Sequence, residues 1–269
     1  MDSALALAFL VTLGAGLATA IGSAIAFFTK HTNRAFFAVS MGFSAGAMIY
    51  LSFVEILPKA QSSLAETVDA NLAMTLTGIA LIGGMLVMAL IDALVPSQAN
   101  PHENVSIELL EQDSPGDSRL MRIGVFLALA IAIHNFPEGL ATFLLVLEDP
   151  QIGIPLAVAV AMHNIPEGIA VSIPIYYATK SRLKAFRWSS LSGLAEPAGA
   201  VIGYLLLLPV LNNFTLGILF ATVAGVMVFL AVDTVLPTAR NSLRGHLTVY
   251  GFIVGIAVVA ASLILLRIA

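Results

Sequence analysis

The chain has 269 residues, of which 59% are hydrophobic and only 10% charged, and its formal net charge is −4. This composition excludes an ordinary soluble domain with a polar surface and predicts an integral protein of the lipid bilayer. The small net charge argues against a polyanionic partner such as a nucleic acid. Cysteine is absent, which excludes disulfides, thiolate metal sites and cysteine nucleophiles.

Eight apolar runs are each long enough to cross about 30 Å of hydrocarbon. In chain order, spans 1 to 8 are predicted over Ala4–Phe28, Ala35–Leu57, Leu72–Val95, Ile123–Leu147, Ile152–Tyr177, Ser189–Pro209, Thr215–Pro237 and Thr248–Ile268. The first three residues lack the basic start of a secretory signal, so span 1 is interpreted as a retained helix. The sequence therefore predicts an all-α, polytopic membrane protein whose residues 1–269 form a single transmembrane domain.

Basic residues predict the orientation, because Lys and Arg in short loops remain on the cytoplasmic side. Most of them follow odd-numbered spans: Lys30, Arg34, Arg119, Arg122, Lys180, Arg182, Lys184, Arg187, Arg240 and Arg244. Only Lys59 and Arg267 fall on the other side. Both termini are therefore expected to be extracytoplasmic, in a multi-pass protein of the inner (cytoplasmic) cell membrane.

The longest connection, residues 96–122 between spans 3 and 4, is rich in Pro, Ser, Asn, Gln and acidic residues. This composition predicts a flexible cytoplasmic loop. His102 and Glu103 lie within it, and an exposed pair of this kind is usually solvated rather than bound to metal.

Spans 2 and 7 end in similar segments. Residues 54–60 read VEILPKA and residues 233–239 read DTVLPTA. By the distribution of basic residues these segments lie at opposite membrane faces, as expected for inverted-topology repeats. Because spans 4 and 5 are antiparallel, the pseudo-two-fold axis should pass between them. The predicted arrangement is three, two and three helices (3+2+3).

One motif occurs twice inside the apolar spans. Residues 134–141 read HNFPEGLA in span 4, and residues 163–170 read HNIPEGIA in span 5. Histidine and glutamate are costly in hydrocarbon and are normally kept there to handle an ion. Positions four apart lie on one helix face, so each span can present its histidine and its glutamate together. The repetition therefore indicates a paired metal centre.

The ligands of this centre follow from the motif. His134, Glu138, His163 and Glu167 make a plausible four-ligand set for Zn²⁺ or Fe²⁺. The amide oxygens of Asn135 and Asn164 could help to hold a second ion that shares the two glutamates. The alternative is that Pro137 and Pro166 merely kink the helices, with the polar residues hydrogen-bonding one another.

Four other acidic residues lie within predicted spans. Glu196 is expected in the middle of a helix, followed by Pro197, where it could complete the shell of the second ion or belong to a structural kink. Glu55, Asp92 and Asp233 lie near predicted helix ends, and pathway and interfacial roles are both open for them. His31 and His246 lie in short basic loops and are expected to be solvated.

These features resemble the ZIP (Zrt/Irt-like protein) family of divalent-metal transporters, in its bacterial and archaeal zinc-uptake branch. The resemblance covers essentially the whole chain: eight spans, the long third loop, the doubled motif and Glu196-Pro197. It implies one transporter domain that imports Zn²⁺, together with Fe²⁺, Mn²⁺, Co²⁺ or Cd²⁺. The metals would be its substrates, with no cofactor.

The same resemblance implies a binuclear site on spans 4, 5 and 6. One ion would be held by His134, Glu138, His163 and Glu167. The other would be held by Asn135, Glu138, Asn164, Glu167 and Glu196. Similar transporters often have Asp-Glu-Leu-Leu-Pro in span 7, whereas this chain has Thr234 in place of the glutamate, which puts a role for that position in doubt.

Two other function classes remain as alternatives. A membrane-embedded metalloenzyme is disfavoured, because di-iron bundles use Glu-x-x-His and an intramembrane zinc protease needs HExxH, which is absent. A metal-sensing channel can be separated from a transporter only by flux and stoichiometry. No GxxxxGK[ST] motif occurs, which argues against direct coupling to ATP. A C₂ homodimer is the base-rate expectation for assembly.

Overall fold

The computed structural model describes residues 3–27, 34–94, 118–242 and 246–268. These ranges contain helices and no strands, and eight of the helical units are long and apolar enough to cross a membrane. The prediction of an all-α polytopic membrane protein with eight spans is therefore confirmed.

The eight observed spans are numbered 1 to 8, as in the sequence analysis. Five of them are single helices: Ser3–Ala26 (span 1), Ala70–Leu94 (span 3), Ser118–Glu148 (span 4), Pro150–Thr179 (span 5) and Leu247–Ile268 (span 8). Span 2 consists of Arg34–Leu51, a π-helical turn Ser52–Ile56 and Leu57–Ala65. Span 6 consists of Arg182–Gly193, Ala195–Leu207 and a 3₁₀ turn Leu208–Val210. Span 7 consists of Asn213–Leu230, a π-helical turn Ala231–Val235 and Leu236–Ser242.

Several predicted boundaries were wrong. Span 2 continues past Pro58, because this proline stands in the first turn of Leu57–Ala65, where its missing N–H is not needed. Span 6 begins earlier, at Arg182, because the Ser181 side chain caps the helix by accepting from the backbone N–H of Lys184 at 3.3 Å.

Span 4 also begins earlier than expected, inside the predicted loop 96–122. Residues 118–122 are helical, and their Arg, Leu and Met residues have high helix propensity. Residues 95–117, including His102, lie outside the described residues, as does His31. The flexible loop therefore stays a prediction.

The two similar segments found in the sequence also share an irregular backbone. In each, the five residues before the Leu-Pro pair form a π-helical turn, 52–56 in span 2 and 231–235 in span 7. The Leu57 N–H bonds to the Ser52 carbonyl, and the Leu236 N–H bonds to the Ala231 carbonyl, five residues back in both. A wider turn relieves the contact between a proline ring and the carbonyl four residues before it.

The spans pack as two bundles. Spans 1, 4, 5 and 6 contact one another and form what we name the motif bundle, because it contains both copies of the repeated motif. Spans 2, 3, 7 and 8 form the flanking bundle, in which span 2 lies against span 8 and span 3 against span 7. The main contact between the bundles joins the first helix of span 2 to span 5.

Both bundles use the same close approach of helices at glycine. In each pair a Cβ added to either glycine would collide with a backbone carbonyl of the neighbouring helix, so that only glycine fits. These pairs are Gly22 with Gly168 and Gly139 with Gly199 in the motif bundle, and Gly46 with Gly255 and Gly84 with Gly225 in the flanking bundle. At Gly14, in contrast, an added Cβ would meet no atom within 4 Å in the described part of the chain.

Candidate metal centre

The repeated motif brings two histidines and two glutamates together in the interior of the motif bundle. His134 and Glu138 lie in span 4, and His163 and Glu167 lie in span 5. None of the four is more than 3% exposed. Both helices remain α-helical through Pro137 and Pro166, which keeps each histidine one turn from its glutamate on the same face.

The closest contacts run between the two spans. His163 Nε2 lies 3.1 Å from Glu138 Oε1, and His134 Nε2 lies 3.3 Å from Glu167 Oε1. Within span 4, His134 Nε2 is 3.6 Å from Glu138 Oε2. Ligand atoms of a tetrahedral ion with bonds of about 2.0 Å are about 3.3 Å apart. The His–Glu distances are close to that spacing, and His134, His163 and Glu167 each offer one donor atom within 4.8 Å of the other two.

Several of these buried atoms make no hydrogen bond within the described residues. They include both carboxylate oxygens of Glu167, Glu138 Oε1 and His134 Nε2. Buried polar groups are normally paired, and leaving them unpaired in an apolar interior is costly. The alternative, in which these residues serve only to hydrogen-bond one another across a kink, leaves Glu167 Oε2 without a donor in the described chain. A cation at this point would satisfy them together.

The two asparagines of the motif are held through their amide nitrogens. Asn135 Nδ2 donates to the Ser192 carbonyl at 3.2 Å, and Asn164 Nδ2 donates to the Ala15 carbonyl at 2.9 Å. Both Oδ1 atoms are buried without a partner among the described residues. The side chains are thus fixed by neighbouring spans, and each leaves an oxygen for a cation.

Glu196 lies beside this second group of donors. It was expected in mid-helix, but span 6 is interrupted at Leu194, so Glu196 stands in the first turn of Ala195–Leu207. Pro197 is tolerated there, and the free N–H groups of a helix start favour a carboxylate. The side chain is fully buried, with one oxygen accepting from Asn164 and the other, Oε2, unpaired within the described ranges.

The sequence did not indicate that span 1 belongs to the centre. Its Ala15 carbonyl holds Asn164, and the fully buried Thr19 accepts from the Ser189 hydroxyl through its carbonyl oxygen. Gly16 crosses Gly193, where a Cβ on either residue would meet the carbonyl of the other. The available signal was the group of small residues Ala15, Gly16, Ala18 and Thr19, which allows the backbone of span 1 to come this close.

The other acidic candidates lie in the flanking bundle. Glu55 is only 4% exposed, inside the π-helical turn of span 2, which does not fit a headgroup contact. Asp233 lies in the corresponding turn of span 7 and is half-buried, as is Asp92 near the end of span 3. A pathway role for the three stays a prediction. His246 is exposed, as expected.

Comparison with known proteins agrees with the resemblance to the ZIP family that the sequence motifs indicated. The sequence model of the ZIP zinc transporter family matches residues 95–263, which include both motifs. This chain belongs to the ZIP family. Zinc transporter ZupT of Streptococcus mutans is 53% identical over 98% of this chain and 99% of its own length. Zinc transporter ZupT of Oceanobacillus iheyensis is 54% identical over 99% and 100%.

Family membership decides between a transporter and a membrane-embedded metalloenzyme. ZIP proteins are transporters, which confirms the expectation that this chain is not an enzyme. A third relative, zinc transporter ZupT of Chlorobium luteolum, is 54% identical over 96% of this chain and 97% of its own length. The relatives therefore cover spans 1 to 3, which the family model does not reach. Together with the eight apolar helices, they identify this ZIP chain as a multi-pass membrane protein.

Proposed function

We propose that this protein imports divalent metal ions across the cytoplasmic membrane, with Zn²⁺ as the main substrate and Fe²⁺, Mn²⁺, Co²⁺ and Cd²⁺ as further substrates. The observation that carries the proposal is the buried cluster of two imidazoles and two carboxylates, in which His134, His163 and Glu167 offer donor atoms within 4.8 Å of one another. Nitrogen and oxygen donors suit these ions, and no thiolate is present. The relatives named above are zinc transporters, which supports zinc as the first substrate. The metal is cargo rather than a resident cofactor.

The proposed site is binuclear and lies on spans 4, 5 and 6. The first ion is held by His134, Glu138, His163 and Glu167. The second is held by Asn135, Glu138, Asn164, Glu167 and Glu196. Support for the second position comes from the unpaired amide oxygens and from the unpaired oxygen of Glu196 in the described chain. Two cations that share carboxylates repel each other, which lowers the affinity for the second ion and favours release.

The proposed direction of import rests on the predicted topology, with both termini extracytoplasmic and a 3+2+3 inverted repeat. Two features support the repeat. The π-helical turns occur at matching places in spans 2 and 7. The packing of span 2 against span 8 has a counterpart in span 7 against span 3, and that of span 1 against span 5 in span 6 against span 4. Metal released from the site would then leave on the side where the basic residues are concentrated.

Flux measured in liposomes tests the proposal. Purified protein is reconstituted, and entry of Zn²⁺, Fe²⁺ and Mn²⁺ is compared for the wild type, Glu138→Ala and the control Glu66→Ala. Glu66 is exposed and lies outside the motif bundle, so the two variants remove the same side chain from different places. We expect saturable zinc flux that Glu138→Ala abolishes and Glu66→Ala preserves.

The other outcomes of the flux experiment distinguish a transporter from a metal sensor and from a channel. Tight zinc binding without flux would support a metal sensor instead. Flux that rises linearly with zinc concentration, without saturation, would support a channel. Flux that survives in Glu138→Ala would contradict the assigned site. The C₂ homodimer stays a prediction, which the mass of the purified particle would test.

A further inference from the structure

A cavity lies between spans 7 and 8 of the flanking bundle. Its volume is about 620 Å³. Val232, Leu236, Val249 and Phe252 form its apolar walls. None of these residues belongs to the proposed metal site, so the cavity needs its own explanation.

The cavity opens towards lipid along its side. Val232 is 54% exposed and Val249 is 44% exposed, and both lie within membrane spans. In a membrane protein such exposed apolar positions face the acyl chains of the bilayer. The groove is therefore available to a hydrocarbon chain that lies along the protein surface.

One end of the groove carries two hydrogen-bond donors. Arg240, which is exposed, lines the cavity, and within the described residues it forms no ion pair with a carboxylate. Thr248 lines it as well, with only 2% of the residue exposed. Its hydroxyl oxygen is buried and has no hydrogen-bond partner in the described part of the chain. A buried hydroxyl without a partner is costly, which points to a polar ligand at this end.

We propose that this groove binds one anionic phospholipid. The phosphate lies at the Arg240 guanidinium, the Thr248 hydroxyl donates to a headgroup oxygen, and one acyl chain follows the apolar walls. A guanidinium matches phosphate geometry with parallel N–H donors. An anionic lipid is favoured over a zwitterionic one because its headgroup has no ammonium cation that would repel the guanidinium. Arg240 follows an odd-numbered span, so the predicted orientation places it at the cytoplasmic leaflet, where anionic lipids are concentrated.

The neighbouring residues fit a headgroup boundary. Tyr250 is 58% exposed, and its ring centroid lies 6.2 Å from that of His246. Tyrosine is enriched where membrane meets water, because its ring is apolar and its hydroxyl is polar. The polar end of the groove therefore coincides with the expected depth of lipid phosphates.

Native mass spectrometry of the full chain in detergent micelles tests the proposal. Phosphatidylglycerol and phosphatidylcholine with identical acyl chains are added separately, and the bound fraction is compared for each variant. We expect wild type to retain phosphatidylglycerol about fivefold more tightly, since one arginine near the surface contributes about 1 kcal/mol. Arg240→Gln should lose this preference. Arg187→Gln should keep it, because Arg187 is an exposed basic residue of span 6 outside the groove.

A second pair of variants separates the groove from general surface charge. Val249→Trp fills the groove from its lipid-facing side and should reduce binding of both lipids equally. Thr248→Val should weaken phosphatidylglycerol about twofold or more, the effect of one lost hydrogen bond. The proposal is overturned if wild type retains both lipids equally, or if Arg187→Gln loses the preference as fully as Arg240→Gln. Equal binding of soluble glycerol phosphate would also overturn it, by indicating a phosphate site that needs no acyl chain.

Discussion

The motif bundle and the flanking bundle are built by the same packing device but differ in what they bury. Both join their helices through glycine pairs that bring backbones into direct contact. The motif bundle buries two histidines and three glutamates, His134, His163, Glu138, Glu167 and Glu196. In the flanking bundle, Glu55 is the one buried acidic residue among those the structure describes.

Helix packing and ion binding therefore depend on different residues in this protein. Glycine crossings stabilise either bundle without any ionisable group. The cluster of buried ionisable groups adds a desolvation cost to the motif bundle, whereas Glu55 is the one buried acidic residue described in the flanking bundle, and groups of this kind are kept in membranes mainly for ions. The comparison therefore predicts that removing side chains in the motif bundle changes transport, whereas removing matched side chains in the flanking bundle changes stability or nothing.

The largest effect is expected from removing a histidine of the motif bundle. His163→Ala should lower zinc flux by about 100-fold or more, because loss of even an indirect support of a metal ligand costs about 10- to 100-fold. His246→Ala, an exposed histidine at the start of span 8, should leave flux unchanged. The measurement is zinc uptake into liposomes per amount of folded protein.

His163→Gln keeps most of the side-chain volume and guards against a simple folding defect. This variant should also lose zinc flux, and it should elute from a size-exclusion column as a single folded species. If the alanine variant fails to fold and the glutamine variant transports normally, the motif is structural and the comparison between the bundles fails.

The position of the buried histidines and glutamates in spans 4 and 5 was predictable from the sequence, because it depends on residue type and spacing. The His-x-x-x-Glu spacing, repeated in two apolar spans, was enough to place His134, Glu138, His163 and Glu167 on helix faces that could meet. The division into two bundles was not predictable in this way. It depends on which helices cross at glycine, and the spacing of Gly14 is as regular as that of Gly22 although only Gly22 makes such a contact.

The break before Glu196 was missed for a similar reason. Glu-Pro inside an apolar run fits both a kinked helix and the start of a new one. The sequence of span 6 does not distinguish them. What separates them is the packing of Gly193 against Gly16 of span 1, a contact between residues far apart in the chain.

Glycine crossings provide the next test, with Gly168→Ala in the motif bundle and Gly251→Ala in the flanking bundle. In both, the new Cβ would collide with a backbone carbonyl, that of Thr19 or that of Val39. We expect each to lower the free energy of unfolding by about 1–3 kcal/mol, as overpacking does. Only Gly168→Ala should also weaken zinc binding, because it adjoins Glu167. Thermal unfolding and zinc titration of both variants check this. Equal loss of zinc affinity in the two would break the comparison.

A smaller effect is expected from Glu196→Gln, which keeps the shape of the side chain and removes its charge. It should abolish the second ion position and lower overall metal affinity about tenfold, the lower end for a supporting ligand. The number of zinc ions per chain, counted by native mass spectrometry, should fall from two to one. Glu66→Gln is the matched control in the flanking bundle. Two ions bound to Glu196→Gln would remove this residue from the site.

Thr234→Glu tests whether the flanking bundle also selects metals. Thr234 is 8% exposed in the π-helical turn of span 7, and it aligns with the buried Glu55 of span 2. A new carboxylate there should shift the ratio of zinc to iron flux a few-fold, because oxygen donors and geometry set metal preference. An unchanged ratio would mean that the motif bundle alone determines metal selectivity.

The smallest effect is expected at the ion pair that joins the bundles. Lys59 Nζ of span 2 lies 3.0 Å from Glu148 Oε1 at the end of span 4, and the side chains are 18% and 32% exposed. Exposed pairs contribute about 0–1 kcal/mol, since solvent screens them and ordering two long side chains costs entropy. Lys59→Met should therefore change the free energy of unfolding by less than about 1 kcal/mol, and the change should shrink in high salt. Unfolding curves at two salt concentrations measure this. A loss of several kcal/mol would mean that charge holds the bundles together, whereas the expected small loss leaves the apolar contact of span 2 with span 5 as the main link between them.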